Sequence, residues 1–325
     1  MTTIVTQKTW LKTHGYYPFS YFLRENFPVK VHKISIHAGF TCPNRDGLVG
    51  VGGCTYCANE SFSPNVRETI VPIKEQVEKG VKFLKKRYGA EKFIAYFQAF
   101  TNTYADVDTL KARYDEALLN EDIIGLSIGT RPDCITDEIL DLIHSYTRKY
   151  HVWVEYGLQS IHNRTLQLVN RGHDYKSFED AVLRTKNKGG IKICAHVILG
   201  LPGEDWNDIM ETARTVSSLG IDGIKLHHLY IAKNTAMAGD YFKGKIKTKT
   251  MKMEEYVSLA CDFLERISPD IIIQRLVGDT HGDFLISPVW SATKGEVFAA
   301  ITNELKHRNS YQGAKCAPSP DLPQP

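Results

Sequence analysis

The sequence predicts an α/β fold, and three observations carry that reading. Six short runs rich in β-branched and aromatic residues alternate with longer amphipathic segments along a chain of 325 residues. The runs are nearly continuous in apolar side chains, as strands are when both faces of a parallel sheet are covered. The amphipathic segments have the length of crossover helices, and right-handed crossovers close such a sheet into a doubly wound layer or a barrel. Periodicity leaves both architectures open. In either one the working loops leave the carboxyl ends of the strands.

In chain order, residues 1–30 form an N-terminal extension. Its aromatic stretch "GYYPFSYFLRENF" is expected to cover the base of the sheet or the loop after the first strand. The strands are expected at 31–37, 92–100, 123–129, 152–158, 192–200 and 223–231. Helices are expected near 72–88, 106–119, 136–149, 162–188 and 204–219. Thr136 suits a helix N-cap, and Asp137 and Glu138 suit the positive end of the helix dipole. The core therefore spans 31–239. A C-terminal extension over 240–316 carries a basic loop, a helix near 252–267, a strand at 271–278, a Gly/His/Asp loop and a helix near 293–308. The Pro-rich residues 317–325 are expected to be disordered.

The net charge of +3 neither requires a nucleic-acid partner nor excludes one. The lysine-rich runs "KFLKKR" (82–87) and "KGKIKTKTMK" (243–252) read first as solvated faces, and second as phosphate contacts. No apolar run reaches the roughly 18 residues of a membrane span. The opening residues lack the apolar core of a signal peptide, so a cytoplasmic location is expected. Seven cysteines, an odd number, argue against a disulfide framework.

Three of those cysteines, Cys42, Cys54 and Cys57, stand in "HAGFTCPNRDGLVGVGGCTYCANESF", residues 37–62, directly after the first strand. A closed zinc site takes four N or S ligands, which His37 or a distant histidine would complete, but the zinc-ribbon pattern needs a second CxxC pair. An iron–sulfur cluster is held by thiolates, and a four-iron cluster on three cysteines keeps one iron open. An open iron can chelate the amine and carboxylate of S-adenosyl-L-methionine. Gly47, Gly50, Gly52 and Gly53 would let the loop wrap closely around an inorganic cube.

With these residues, the chain resembles the radical SAM superfamily, and within it the YhcC/YtqA-like subgroup, whose loop "CPNRDG…GGC-x-[FY]-C" stands here as "CPNRDGLVGVGGCTYC". Further segments agree. "EYGLQSIHNRTLQLVNRGHDY" (155–175) resembles oxygen-independent coproporphyrinogen dehydrogenase and the elongator catalytic subunit, and "SIGTRPDCI" (127–135) resembles the latter. The resemblance implies a partial (β/α)6 TIM-type barrel with a C-terminal extension. It implies a [4Fe-4S] cluster on Cys42, Cys54 and Cys57, with S-adenosyl-L-methionine on the open iron, cleaved to a 5′-deoxyadenosyl radical. The implied cofactor contacts are Tyr56, Gln159, Arg171, Ile198 and Gly200. Gln98 and Thr101 are the candidates for the amino group, because "YFQAFTNTY" replaces the superfamily's Gly-Gly-Glu. The implied substrate is the tRNA wobble uridine, taken from 5-carboxymethylaminomethyl-uridine to 5-aminomethyl-uridine, with flavodoxin or ferredoxin as low-potential electron donor. His228, Asp279 and His281 are candidate substrate contacts. A radical enzyme for a small or porphyrin-like molecule, and a non-catalytic zinc-bearing RNA-binding module, are the alternatives.

Overall fold

The computed structural model describes residues 9–67, 69–245, 250–278, 280 and 282–316. Asp279, His281, the tail 317–325 and residues 246–249 of the basic run lie outside the described residues.

The apolar runs form Val31–Ile36 (β1), Lys92–Phe97 (β2), Ile123–Thr130 (β3), His151–Gln159 (β4), Lys192–Leu199 (β5) and Gly223–His228 (β6). A short strand, Ile231–Ala232 (β7), precedes Ile272–Arg275 (β8) and pairs antiparallel with Leu285–Ser287 (β9). The main sheet has seven parallel strands in the order β1-β2-β3-β4-β5-β6-β8. It curls into a half-barrel: Lys33 Nζ of β1 reaches Gln274 Oε1 of β8 at 2.7 Å, although these strands stand at opposite edges. The strand of the C-terminal extension thus continues the core sheet. Its run of hydrophobics is what a strand covered on both faces needs.

Crossover helices wrap the outside. Val107–Ala117, Asp137–Tyr146, Tyr175–Lys188 and Trp206–Ser218 each begin on a side chain that accepts from a backbone N–H of the first turn, namely Asp106, Thr136, Asp174 and Asp205. Each such cap is worth about 1 kcal/mol. The helix expected over 162–188 is instead two, Asn163–Leu168 and Tyr175–Lys188. Asn170 (φ 51°) and Gly172 (φ 77°) turn the chain out of helical geometry between them, and Arg171 sits on that turn. The second strand also ends early, at Phe97, because Ala99 and Phe100 take left-handed φ values of 68° and 60°.

The amino ends of the strands are sealed. Phe22, on the helix Phe19–Asn26, packs into a buried cluster with Val31, Ile94, Trp153, Cys194 and Ile272. The segment before that helix binds the sheet edge, with Ile273 N–H donating to Tyr17 O at 2.7 Å. The aromatic extension therefore closes the base of the barrel, one of the two places expected for it. No helix among the described residues is long and apolar enough to cross a membrane.

Candidate functional site

The carboxyl end of the half-barrel opens into a pocket, and its rim is the cysteine loop. Cys42 precedes a single helical turn, Pro43–Asp46, and Gly47 ends that turn at φ 101°. A Cβ at Gly50 would meet Asn44 Oδ1 at 2.3 Å, so any larger residue there would have to displace the Asn44 amide. The loop is also tied to the turn that carries Arg171. Asn44 Nδ2 donates to Asn170 O at 2.6 Å, Asn170 Nδ2 to Gly53 O at 2.8 Å, and Thr55 N–H to Val169 O at 2.9 Å. Cys42, Cys54 and Cys57 all face the pocket.

Arg171 is buried against this loop. Its Nη1 donates to Cys54 Sγ at 3.5 Å and its Nη2 to Gly157 O at 2.6 Å, while its Nε has no partner. Burial alone would push the Cys54 thiol up. The neighbouring guanidinium outweighs that and holds the thiol below its ordinary range, which favours the thiolate a metal needs. Burial, then the nearby Cys54, push the Cys57 thiol up, and Arg45 partly offsets them. Arg131 is fixed in a fork on Asp133, at 2.9 and 2.7 Å, and its Nη1 donates to Arg171 O at 2.8 Å. Asp133 therefore positions Arg131.

Beneath the rim lies an ionic layer. Glu155 is fully buried on β4 and accepts from Lys33 Nζ at 2.7 Å, Ser127 Oγ at 2.5 Å and His196 Nε2 at 2.8 Å, and also from Lys225 Nζ. Lys225 Nζ also donates to Tyr96 Oη at 2.9 Å. Burial pushes Lys225 down to about 7, while Glu155 partly holds it up. Burial would raise the Glu155 carboxyl, but Lys225 and Lys33 hold it well below the carboxylate range. Burial pushes His196 down to about 4.

The donor set fits a cluster better than a single ion. Thiolates around one zinc at about 2.3 Å stand roughly 4 Å apart. Among the described residues, the ligand-type groups gathered within 4.8 Å are Glu155–Cys194–His196 and His162–Asp208–Glu211, and the cysteine trio is not among them. The first of these is claimed by two lysines, which would repel a cation. Four buried polar atoms of pocket-lining residues also lack a hydrogen-bond partner: Tyr56 Oη, Thr101 Oγ1, Arg171 Nε and His228 Nδ1. Ala99 and Phe100, in strained left-handed geometry, deliver Thr101 to the wall.

The structure brings Tyr56, Gln98, Thr101, Gln159, Arg171 and Ile198 to this pocket. Gln159 stands at φ 75°, and Gln98 Nε2 donates to Ser35 Oγ at 2.8 Å. Gly200 is not brought there. It lines a neighbouring groove, where a Cβ would meet Met251 Cε at 2.7 Å. That contact, and the φ of 90°, account for the glycine through packing. His228 lines the pocket with its ring 4.3 Å from that of Trp290 and its Nδ1 unpaired. His227 lines it too, beside His196. Sequence reasoning missed Glu155, Lys225, Tyr96 and Arg275. A charge inside an otherwise apolar strand, as in "VWVEYGL" and "GIKLHH", was the available signal.

Residues 42–216 match the family described as the Radical SAM superfamily, and 221–307 match the Radical SAM C-terminal domain. YtqA of Bacillus subtilis is 41% identical over 301 residues, 92% of either chain. The tRNA uridine(34) acetyltransferase of Methanocaldococcus infernus is 26% identical over 54% of this chain and 32% of its own length. The solved structure of Elp3 from the same archaeon, with its N-terminus deleted, superposes with a TM-score of 0.67 at 17% identity, covering 89% of this chain and 65% of that one. That likeness shows the fold.

Proposed function

We propose, for a chain that belongs to the radical SAM superfamily, that it modifies the wobble uridine of tRNA, converting 5-carboxymethylaminomethyl-uridine to 5-aminomethyl-uridine. The superfamily uses a [4Fe-4S] cluster and S-adenosylmethionine. In this chain Cys42, Cys54 and Cys57 would hold the cluster. Bound there, the pair supplies a carbon-centred radical that abstracts hydrogen from an unreactive C–H bond.

The chain's own residues bind, orient and shield. Arg171 favours the thiolate form of Cys54 and offers an unpaired Nε to the methionine end of the cofactor. Thr101 Oγ1 offers a hydrogen bond at the wall, and Gln98 a second. Gln159 is placed for ribose hydroxyls, and Tyr56 with Ile198 for the flat faces of adenine. Gly200 is left out of this set because it faces Met251. Apolar packing fills the base, so the radical would be generated at the opposite, carboxyl end of the strands. A reductant of the flavodoxin or ferredoxin class is required to deliver the electron.

The observation that carries the substrate is the similarity, through the radical SAM core, to a protein described as acting on tRNA uridine 34. An anticodon base must be extruded to enter such a chamber, and aromatic side chains at the mouth, Phe62 and Phe100, suit stacking. Nucleoside analysis of bulk tRNA from a strain lacking the gene tests it. We expect 5-carboxymethylaminomethyl-uridine, or its 2-thio form, to accumulate and the 5-aminomethyl form to fall. An unchanged set of 5-substituted uridines would remove the RNA substrate.

A further inference from the structure

Cations outnumber anions on the floor of the pocket. Glu155 is the one carboxylate among the described residues that line it. Lys33 and Lys225 both already hold that carboxylate. Four arginines face the same space, and three of them are engaged. Arg45 donates to Cys57 O, Arg131 is forked on Asp133, and Arg171 holds Cys54 and Gly157 O and keeps only its Nε, which lies at the cysteine rim, for the cofactor. The fourth, Arg275, makes no hydrogen bond or ion pair with a described residue. It ends β8 in register with Lys225 of β6, which places it in the ionic layer and below the cysteine rim. His227, on the same face of β6 as Lys225, stands beside it.

A part-buried guanidinium with no partner among the described residues is costly unless an anion meets it. The cysteine rim is one end of the pocket and this layer is the other. A planar, two-oxygen anion matches the guanidinium fork better than a point charge does.

We propose that Arg275, flanked by Lys225 and His227, anchors a carboxylate at the leading end of the substrate. This rests on the wobble-uridine reading and adds to it the direction of entry. The carboxymethyl end of the uridine's side arm goes in first, toward Arg275. The carbon–nitrogen chain of the arm then lies between the floor and the cysteine rim, where hydrogen abstraction would occur. A substrate already stripped to its amine has no group for this anchor, so the product is released in preference to the substrate.

The test is calorimetric titration of the reconstituted, cluster-bearing enzyme with three nucleosides: 5-carboxymethylaminomethyl-uridine, its carboxamide, and 5-aminomethyl-uridine. Nucleosides carry no phosphate, so any preference for the acid comes from the arm. Wild type is expected to bind the acid at least about tenfold tighter than the carboxamide, the scale of a charge-assisted pair. Arg275→Gln should erase that preference, and Arg275→Lys should keep part of it, each variant being checked for native circular dichroism. Equal binding of acid and carboxamide by wild type, survival of the preference in Arg275→Gln, or no binding of the acid would each overturn the anchor. The strain analysis above separates the two claims. An altered tRNA profile without acid preference removes the anchor alone, whereas an unchanged profile removes the RNA substrate.

Discussion

At the amino ends of the strands the barrel is filled by Phe22, Ile94, Trp153 and Ile272, none of them more than 5% exposed. At the carboxyl ends the same strands lead to Arg171 Nε and Thr101 Oγ1, buried and unpaired, and to three free thiols. One end satisfies itself through close packing. The other leaves polar groups waiting, at a cost in stability, for something the chain does not itself contain. Strain follows the same division: the left-handed residues Ala99, Phe100 and Gln159 all lie at the carboxyl ends. The contrast teaches that the base makes the fold and the rim makes the chemistry.

The largest effect should come from breaking the base. Trp153→Ala removes a fully buried indole from the plug and should cost about 3–5 kcal/mol by denaturant unfolding. Iron content and S-adenosylmethionine affinity of the folded fraction should stay near wild type. If the variant instead lost the cluster while keeping its stability, the division of labour would be wrong.

A smaller effect, shared by both ends, should appear in acid. Burial, then the charges of Lys192 and Lys33, push His151 at the base down to about 4, and burial pushes His196 in the ionic layer to about 4. An unfolded histidine takes its proton near about 6.5. Between those values the unfolded chain binds more protons than the native one, so stability is full above pH 6.5 and declines as pH falls toward 4. Thermal melts across that window should show the decline. His151→Gln, which can still accept from Trp153 Nε1, should flatten it by one histidine's share. A slope unchanged in that variant would mean that the fold does not depress the His151 pKa below its unfolded value.

The smallest effect should sharpen the contrast at a single atom. Thr101→Val replaces an orphaned hydroxyl by a methyl of the same shape. The protein should be as stable as wild type or slightly more so, while S-adenosylmethionine binds roughly three- to tenfold more weakly, the worth of one hydrogen bond. Unchanged affinity would show that Thr101 faces no ligand.

The base and the rim were not equally legible in the sequence. The strands and crossover helices could be read because apolar runs and caps such as Thr136 act locally. The cysteine loop could be read because its spacing and glycines are contiguous. The ionic layer could not, because Lys33, Glu155, Lys225 and Arg275 come from four strands and meet only when the sheet curls. The break at Asn170–Gly172 was hidden inside a helical pattern, since its reason is tertiary: Asn170 turns out to bind Gly53. At Gly200 the packing reason for glycine is equally remote, since a Cβ there would meet Met251, fifty-one residues on in the chain.

The central claim is that three thiolates from this loop leave one iron open for S-adenosylmethionine. Mössbauer spectroscopy of protein reconstituted with iron-57, before and after the sulfonium is added, tests it directly. The account predicts a four-iron cluster in which one iron changes its coordination on addition, and no such cluster in Cys42→Ala. A spectrum indifferent to saturating S-adenosylmethionine, because a side chain already occupies the fourth corner, would contradict it.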